Sequence, residues 1–230
     1  NKKVKYMNVI VTGSKGLIGS AVTEHLTVNG HAVLELDLYY NHDLTNEDFV
    51  KSWFSKNKAS ALINLFALND HVDAARTSNR LMDISLKSFE KYLQINLVAL
   101  FSVCREFARN NDSGSIVNFT STYGMVSPLP GLYDNDEKHI AYGVSKAGVI
   151  QLTRHLAVHL APKFRVNCVA PGGVRHNQDD MFQSRYGAYT PLGRMMEVGE
   201  LLGVIDLLIS NNSSYCTGSV YNVDGGWTAW

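Results

Sequence analysis

The chain has 230 residues, 45% of them hydrophobic, with 21 basic against 21 acidic side chains and a formal net charge of zero. It is long enough to bury an apolar core without disulfides or metals, and it carries no global field to draw it to nucleic acid or to an anionic membrane surface. Charged residues make up 18%, below the ~25% of an average domain, so part of the surface is expected to be covered by further subunits.

Cys104, Cys168 and Cys216 are odd in number and widely spaced, with no CxxC and no His/Cys cluster at metal-ligand spacing. That pattern points to a reducing, cytoplasmic setting and to no metal site. The basic start, Asn1-Lys2-Lys3-Val4-Lys5-Tyr6, is followed only by Val9-Ile10-Val11 before a glycine turn. Such a stretch is too short for a signal-peptide core or a membrane span.

In chain order, runs rich in branched residues occur at Asn8 to Thr12, Ala32 to Leu36, Ala61 to Phe66, Ser115 to Thr120, Arg165 to Ala170 and Ser219 to Val223. They predict strands buried on both faces, as in a parallel sheet. Between them Leu17, Ile18, Ala21, Val22 and Leu26 fit one helix face, Phe89 through Phe101 a second, and Ala147 through Leu160 a third. Alternation of the two patterns predicts an open α/β sheet with helices on both sides. One link is abnormal: Asp37 is followed by Asp43-Leu44-Thr45 after only six residues. A parallel crossover needs a dozen or more, so the helix after the second strand is expected to be missing and a third strand short or absent. No linker, repeat or low-complexity tract divides residues 1–230, which are read as one domain.

Two motifs carry chemistry. The first strand runs into Thr12-Gly13-Ser14-Lys15-Gly16-Leu17-Ile18-Gly19 and then a helix. Glycines there permit a tight turn and let a pyrophosphate approach the unpaired N–H groups at the helix start. Asp37, eighteen positions after Gly19, is placed to take the adenosine ribose hydroxyls, and like-charge repulsion against a 2′-phosphate favours NAD(H). Lys15 leaves NADP(H) open. Further on, Tyr142 and Lys146 lie one helical turn apart on one face. A nearby ammonium favours the phenolate, so the Tyr142 pKa is expected to fall toward neutrality.

With these residues in place the chain resembles the short-chain dehydrogenase/reductase family over essentially its whole length. The glycine turn, Asp37, Asp43-Leu44-Thr45, Asn64, Asn96 in Ile95-Asn96-Leu97, Ser121, Tyr142/Lys146, Pro171-Gly172 and Asp224-Gly225-Gly226 follow the family's order. The resemblance implies a Rossmann-like, doubly wound, three-layer sheet with the crossover between strands 2 and 3 shortened. It also implies Tyr142 as acid/base, Lys146 holding the nicotinamide ribose, Ser121 bonding the substrate oxygen and Asn96 holding a relay water. Pro171, Gly172 and Val174 then border the nicotinamide, Asp43 and Leu44 the adenine, and Asn64 the adenosine side. Each has a plainer alternative: Asn96 bonding backbone locally, Ser121 as one more strand-end serine, Asp43 as a cap for a helix near Asn46.

Two departures stand out. Asn64-Leu65-Phe66-Ala67 replaces a small-residue turn after the family's fourth strand, and the glycine spacing resembles the extended branch that modifies nucleotide sugars. Between Ser121 and Tyr142 the segment 130–139 is longer than usual and rich in hydrogen-bonding groups. With Tyr123, His139 and Arg175, and a substrate loop over about 174–200, it suggests a polar, sugar-like or sugar-nucleotide substrate; its alternative is a solvated loop. The expected activity is NAD(P)-dependent hydride transfer on a secondary alcohol or ketone. A nucleotide-sugar epimerase or dehydratase with tightly bound NAD is the second reading, and a non-catalytic dinucleotide sensor the third. The family implies a homotetramer or homodimer.

Overall fold

Each of the six branched runs forms a strand in the computed structural model, which describes residues 6–69, 79–133 and 137–230. The elements are β1 (Asn8–Thr12), α1 (Leu17–Val28), β2 (Ala32–Leu36), α2 (Glu47–Lys56), β3 (Ala61–Asn64), α3 (Leu86–Leu93), a π-helical segment (Gln94–Ala99) and α4 (Leu100–Asn110). There follow β4 (Gly114–Phe119), α5 (Ile140–Leu160), β5 (Phe164–Pro171), α6 (Asp180–Tyr189), α7 (Leu202–Ile209) and β6 (Val220–Val223). The strands are all parallel in the order β2-β1-β3-β4-β5-β6. Chain direction across the sheet reverses between β1 and β3, which opens a crevice at their C-terminal ends.

Alternation along β1 explains the three layers. Ile10 packs with Phe54 of α2, Phe107 of α4 and Val149 of α5, whereas Val9 and Val11 pack with Val22 and Leu26 of α1 and with Ile205 and Leu208 of α7. Successive side chains point to opposite faces, and helices cover both.

The shortened link is present as expected. After Asp37 the chain makes one 3-10 turn, Leu38–Tyr40, closed by Asn41 in the left-handed region (φ 59°). No strand follows before Ala61, so β2 is the edge of the sheet. Asn46 then caps α2 by accepting from Phe49 N at 3.1 Å. The third branched run is shorter than its sequence predicts, because Leu65 and Phe66 leave the ladder and pack on opposite faces of the sheet. The second apolar helix is two helices joined by the π segment. Trp227 stacks on Tyr186 at 4.3 Å within the chain's own aromatic cluster, while Trp230 is exposed.

One row of the sheet is polar. Thr12, Asn64, Asn118 and Cys168 are register partners on four adjacent strands, and all are buried. Thr12 Oγ1 donates to Asn64 Oδ1 (3.1 Å), Asn64 Nδ2 to Asn118 Oδ1 (2.9 Å), and Asn118 Nδ2 to Thr153 Oγ1 on α5 (3.0 Å). A buried amide left without its partner loses about 1–3 kcal/mol. Asn118→Ala, which takes the amide partner from both Asn64 Nδ2 and Thr153 Oγ1, is expected to lower the unfolding free energy by about 2–3 kcal/mol. Urea denaturation reads this directly, and a variant as stable as the parent would dismiss the row as a structural tie.

Candidate active site

The glycine turn forms because β1 ends under a sharp reversal. Gly13 takes φ +68°, and a Cβ there would sit 2.5 Å from Phe66 N. At Gly16 a Cβ would meet only Gly13 O, at 3.4 Å, so its outer side is open. Helix α1 starts next to it without a side-chain cap and without an acid in its first turn. Its first N–H groups and positive dipole end therefore remain available to an anion, and this cradle fits a dinucleotide pyrophosphate. Ser14 is buried and its hydroxyl has no partner among the described residues; Ile18 leans on the α1/α7 side of the core and Leu17 is exposed.

Asp37 lies beside the cradle. Its carboxylate accepts from Lys15 N (2.9 Å) and Tyr39 N (2.8 Å), and the residue is half-buried at the end of β2. The Lys15 ammonium, which kept NADP(H) open, pairs with Glu35 at 2.8 Å and lies 5.2 Å from the Tyr40 ring centroid. Those two neighbours raise its pKa, Glu35 most.

Asp43 accepts from Thr45 N (2.9 Å) and Thr45 Oγ1 (2.6 Å), closing the turn before α2. Leu44, in the turn before α2, packs its side chain into the core, and the Asn64 side chain is tied into the polar row.

Ser121, Tyr142 and Lys146 do converge. Strand β4 ends at Phe119; Ser121 then opens the 3-10 turn Thr122–Gly124 and accepts from Tyr123 N at 3.1 Å. Helix α5 begins just before Tyr142, and one turn on Lys146 Nζ donates to Phe119 O at 2.8 Å. A Cβ at Gly124 would lie 2.7 Å from the Lys146 backbone, so only glycine lets the turn rest on α5 there. All three side chains are at most 8% exposed.

Burial governs the charges. It pushes the Tyr142 phenol up to about 12, with the Ser121 hydroxyl acting in the opposite direction, and it brings the Lys146 ammonium down to about 8. The expected lowering of the Tyr142 pKa is thus reversed in the free protein. Desolvation outweighs the ammonium because it disfavours both charged forms at once.

Asn96 lies in the π segment, a widened turn that frequently marks functional positions. Its Nδ2 donates to Leu68 O (3.0 Å) and Ser145 Oγ (3.0 Å), and its Oδ1 accepts from Leu68 N (2.7 Å). These bonds are long-range, so the local-capping alternative is not what the side chain does. It locks the exit of β3 to α5.

On the substrate side Tyr123 and Tyr133 share a hydrogen bond between their hydroxyls at 2.8 Å. Both phenols are pushed up by burial, Tyr133 to about 12. Behind them lie Leu132, Phe182, Tyr186, Met195 and Trp227. His139 is not in this wall: it is buried as the N-cap of α5, with Nδ1 accepting from Ala141 N (3.2 Å), Nε2 bonded to Ser88 Oγ (2.9 Å) and its ring stacked on Tyr92. Arg175 is exposed and paired with Glu197 at 2.6 Å. Gly172 continues β5 by donating to Val223 O (2.9 Å), Pro171 being the last residue of that strand, and Val174 bridges Met196 and packs on the core. Asp134, Asn135 and Asp136 of the long loop lie outside the described residues.

Two further residues have no sequence signal of their own. Lys138 places its ammonium 4.9 Å from the Tyr142 ring centroid, and Tyr186 accepts from Gly173 N at 2.5 Å. A lysine in a polar loop and a tyrosine on a surface helix match no spacing rule. Among the described residues, no three His, Cys, Asp or Glu side chains gather into a metal-sized group, and no helix is long and apolar enough to cross a membrane.

Residues 13–228 match the family model described as enoyl-(acyl carrier protein) reductase. A 3-oxoacyl-[acyl-carrier-protein] reductase of Aquifex aeolicus is 30% identical over 95% of this chain and 86% of its own length. A short-chain type dehydrogenase/reductase of Sinorhizobium fredii is 32% identical over 95% of this chain, which spans 43% of that relative. The crystal structure of a short chain dehydrogenase from Leptospira borgpetersenii with bound NAD+ superposes with a TM-score of 0.86 at 28% identity, covering 97% of this chain and 93% of that one. With six parallel strands, an uncapped glycine turn and a converged Ser, Tyr and Lys, the chain belongs to the short-chain dehydrogenase/reductase family.

Proposed function

We propose that this protein moves a hydride between a nicotinamide cofactor and the carbinol carbon of a secondary alcohol or ketone, with Tyr142 moving the proton. The observation that carries the reading is the convergence of Ser121, Tyr142 and Lys146 beside the open glycine cradle. A bound nicotinamide supplies the hydride chemistry. Gly13, Gly16 and the first turn of α1 hold its pyrophosphate, and Asp37 its adenosine ribose. Ser121 donates to the substrate oxygen, and the Tyr142 phenol gives that oxygen its proton as charge develops during reduction, or takes it back during oxidation. Burial keeps the phenol protonated at neutral pH, the form that serves reduction. Asn96 acts by position, fixing Leu68 against Ser145 on α5.

NAD(H) is the preferred cofactor on two supports: the Asp37 carboxylate lies beside the glycine turn, bonded to Lys15 N, and Glu35 pairs with Lys15. The substrate class is sugar-like, supported by hydroxyls from Ser121, Tyr123 and Tyr133 set against the rings of Phe182, Tyr186 and Trp227. That mixture suits a compound with apolar faces and hydroxyl edges. A second copy of the chain is proposed to cover the groove between α4 and α5, where Val98 and Phe101 are exposed beside Leu97 and Leu152. The unpaired cysteines, with Cys104 and Cys168 buried, agree with a reducing, cytoplasmic location.

Replacing Tyr142 by Phe is expected to lower turnover by about 10²–10⁴ while NADH titration shows cofactor binding intact; undiminished turnover would refute the mechanism. A panel of keto-sugars, polyols, 3-oxoacyl thioesters and hydrophobic ketones tests the substrate, and turnover of hydrophobic ketones alone would remove the sugar-like assignment. Tighter binding of NADPH than NADH would overturn the role given to Asp37.

Lys146 makes a separate prediction. Its folded pKa, about 8, lies below the unfolded value of 10.5. Between those values the unfolded chain holds a proton that the folded chain has released, so stability rises with pH by up to about 1.4 kcal/mol per unit. The difference in unfolding free energy between wild type and Lys146→Met is expected to climb from pH 8 toward 10. A flat difference would mean that the ammonium is not desolvated.

A further inference from the structure

We propose that Glu35 is a specificity-determining residue that sets how firmly the site refuses NADP(H): together with the Tyr40 ring, its carboxylate holds the Lys15 ammonium back from the ribose position, where that ammonium would bind a 2′-phosphate. Lys15 is on this view a phosphate ligand kept out of use. The inference rests on the reading that Asp37 takes the adenosine ribose.

Glu35 is the polar exception in β2, which reads Ala-Val-Leu-Glu-Leu. Leu34 and Leu36 pack with the α2, α4 and α5 core and Val33 with the α1 and α7 core, so alternation turns Glu35 toward the α1 face beside its register partner Val11. Glutamate is depleted in strands, and a carboxylate drawn out of water costs stability unless it finds a partner. Lys15 is that partner. The Glu35 side chain is 26% exposed, and Lys15 Nζ lies 2.8 Å from its Oε2.

Lys15 is held at its root and at its tip. Its backbone N–H donates to the Asp37 carboxylate at 2.9 Å, while its ammonium sits by Glu35 and 5.2 Å from the Tyr40 ring centroid. Tyr40 stands there because the shortened link folds back on itself: its N–H donates to Asp37 O at 3.0 Å, and its ring meets that of Tyr39 edge-on at 5.2 Å. The root of the lysine is thus one hydrogen bond from the carboxylate given to the ribose. Once the ammonium is free, a flexible four-carbon stem carries it to a phosphate on that ribose. Charge decides the rest. With Glu35 present, the one cation faces two carboxylates, so a 2′-phosphate meets net negative charge and has also to break an ion pair. Without the Glu35 charge, Lys15 balances Asp37 and its ammonium is open to a phosphate oxygen.

Isothermal titration calorimetry with NADH and NADPH gives the ratio of the two dissociation constants, in which a general loss of nucleotide binding cancels, and it needs no substrate. In Glu35→Gln the ratio is expected to move toward NADPH by roughly tenfold, the worth of one charge-assisted hydrogen bond, and the shift is expected to shrink as salt is raised. Glu35→Val, which suits a branched strand, serves if Glu35→Gln fails to fold. In Lys15→Met/Glu35→Gln the gain is expected to disappear. An unchanged ratio in both Glu35 variants would overturn the proposal while leaving Asp37 its role. A gain that persists without Lys15 would overturn it too, since the lost negative charge and not a freed ammonium would then be the cause. Wild type binding NADPH more tightly than NADH would instead overturn the reading on which the proposal rests.

Discussion

The amide hydrogen bond from Asn64 to Asn118, 2.9 Å long and buried, joins the strand that ends beneath the glycine turn to the strand that leads into Ser121. Thr12 extends the tie into β1, and Thr153 extends it into the helix that carries Tyr142 and Lys146. An apolar core of branched residues holds the layers together but tolerates small slips. Directional bonds between amides do not, since a buried donor shifted out of reach loses its partner entirely. The cradle and the proton-transfer groups sit on different elements, and this row fixes their relative height.

Burial does opposite things to the two groups at the centre. It raises the phenol and lowers the ammonium, so the free site favours a neutral tyrosine and a weakened lysine charge. Neither state is the working one for oxidation. Two fixed groups act beside burial: the Ser121 hydroxyl, which works against the rise of the phenol, and the Phe119 carbonyl that holds Lys146. A dry, preorganised site makes each of these stronger than it is in water.

Much of this was legible in the sequence, for identifiable reasons. Runs such as Val9-Ile10-Val11 read as strands because a strand buried on both faces has no polar position to interrupt it. Five residues between Asp37 and Asp43 are too few for a crossover, and the lone 3-10 turn at Leu38–Tyr40 is the result. Tyr142, Lys146 and Ser121 were found because motif order carries them. What failed depended on contacts distant in the chain. Asn64 and Leu44 have the right types for a cofactor site, yet the pleat turns the Asn64 side chain into the polar row and the turn before α2 packs Leu44 into the core. His139 was placed in the pocket by its neighbourhood, whereas Ser88 and Tyr92, some fifty residues away, capture it. The π segment has no signature in apolar spacing, because one widened turn leaves that spacing nearly unchanged.

The edge position of β2 bears on how the chain behaves among its own copies. An edge strand presents a line of unpaired backbone groups on which another strand can nucleate aggregation. Here that line is only five residues long and carries the Lys15–Glu35 ion pair. At its end Asn41, in the left-handed region, turns the backbone out of the strand direction. The same omission that trims the cofactor side of the sheet therefore leaves an edge too short, too charged and too sharply bent to recruit a foreign strand.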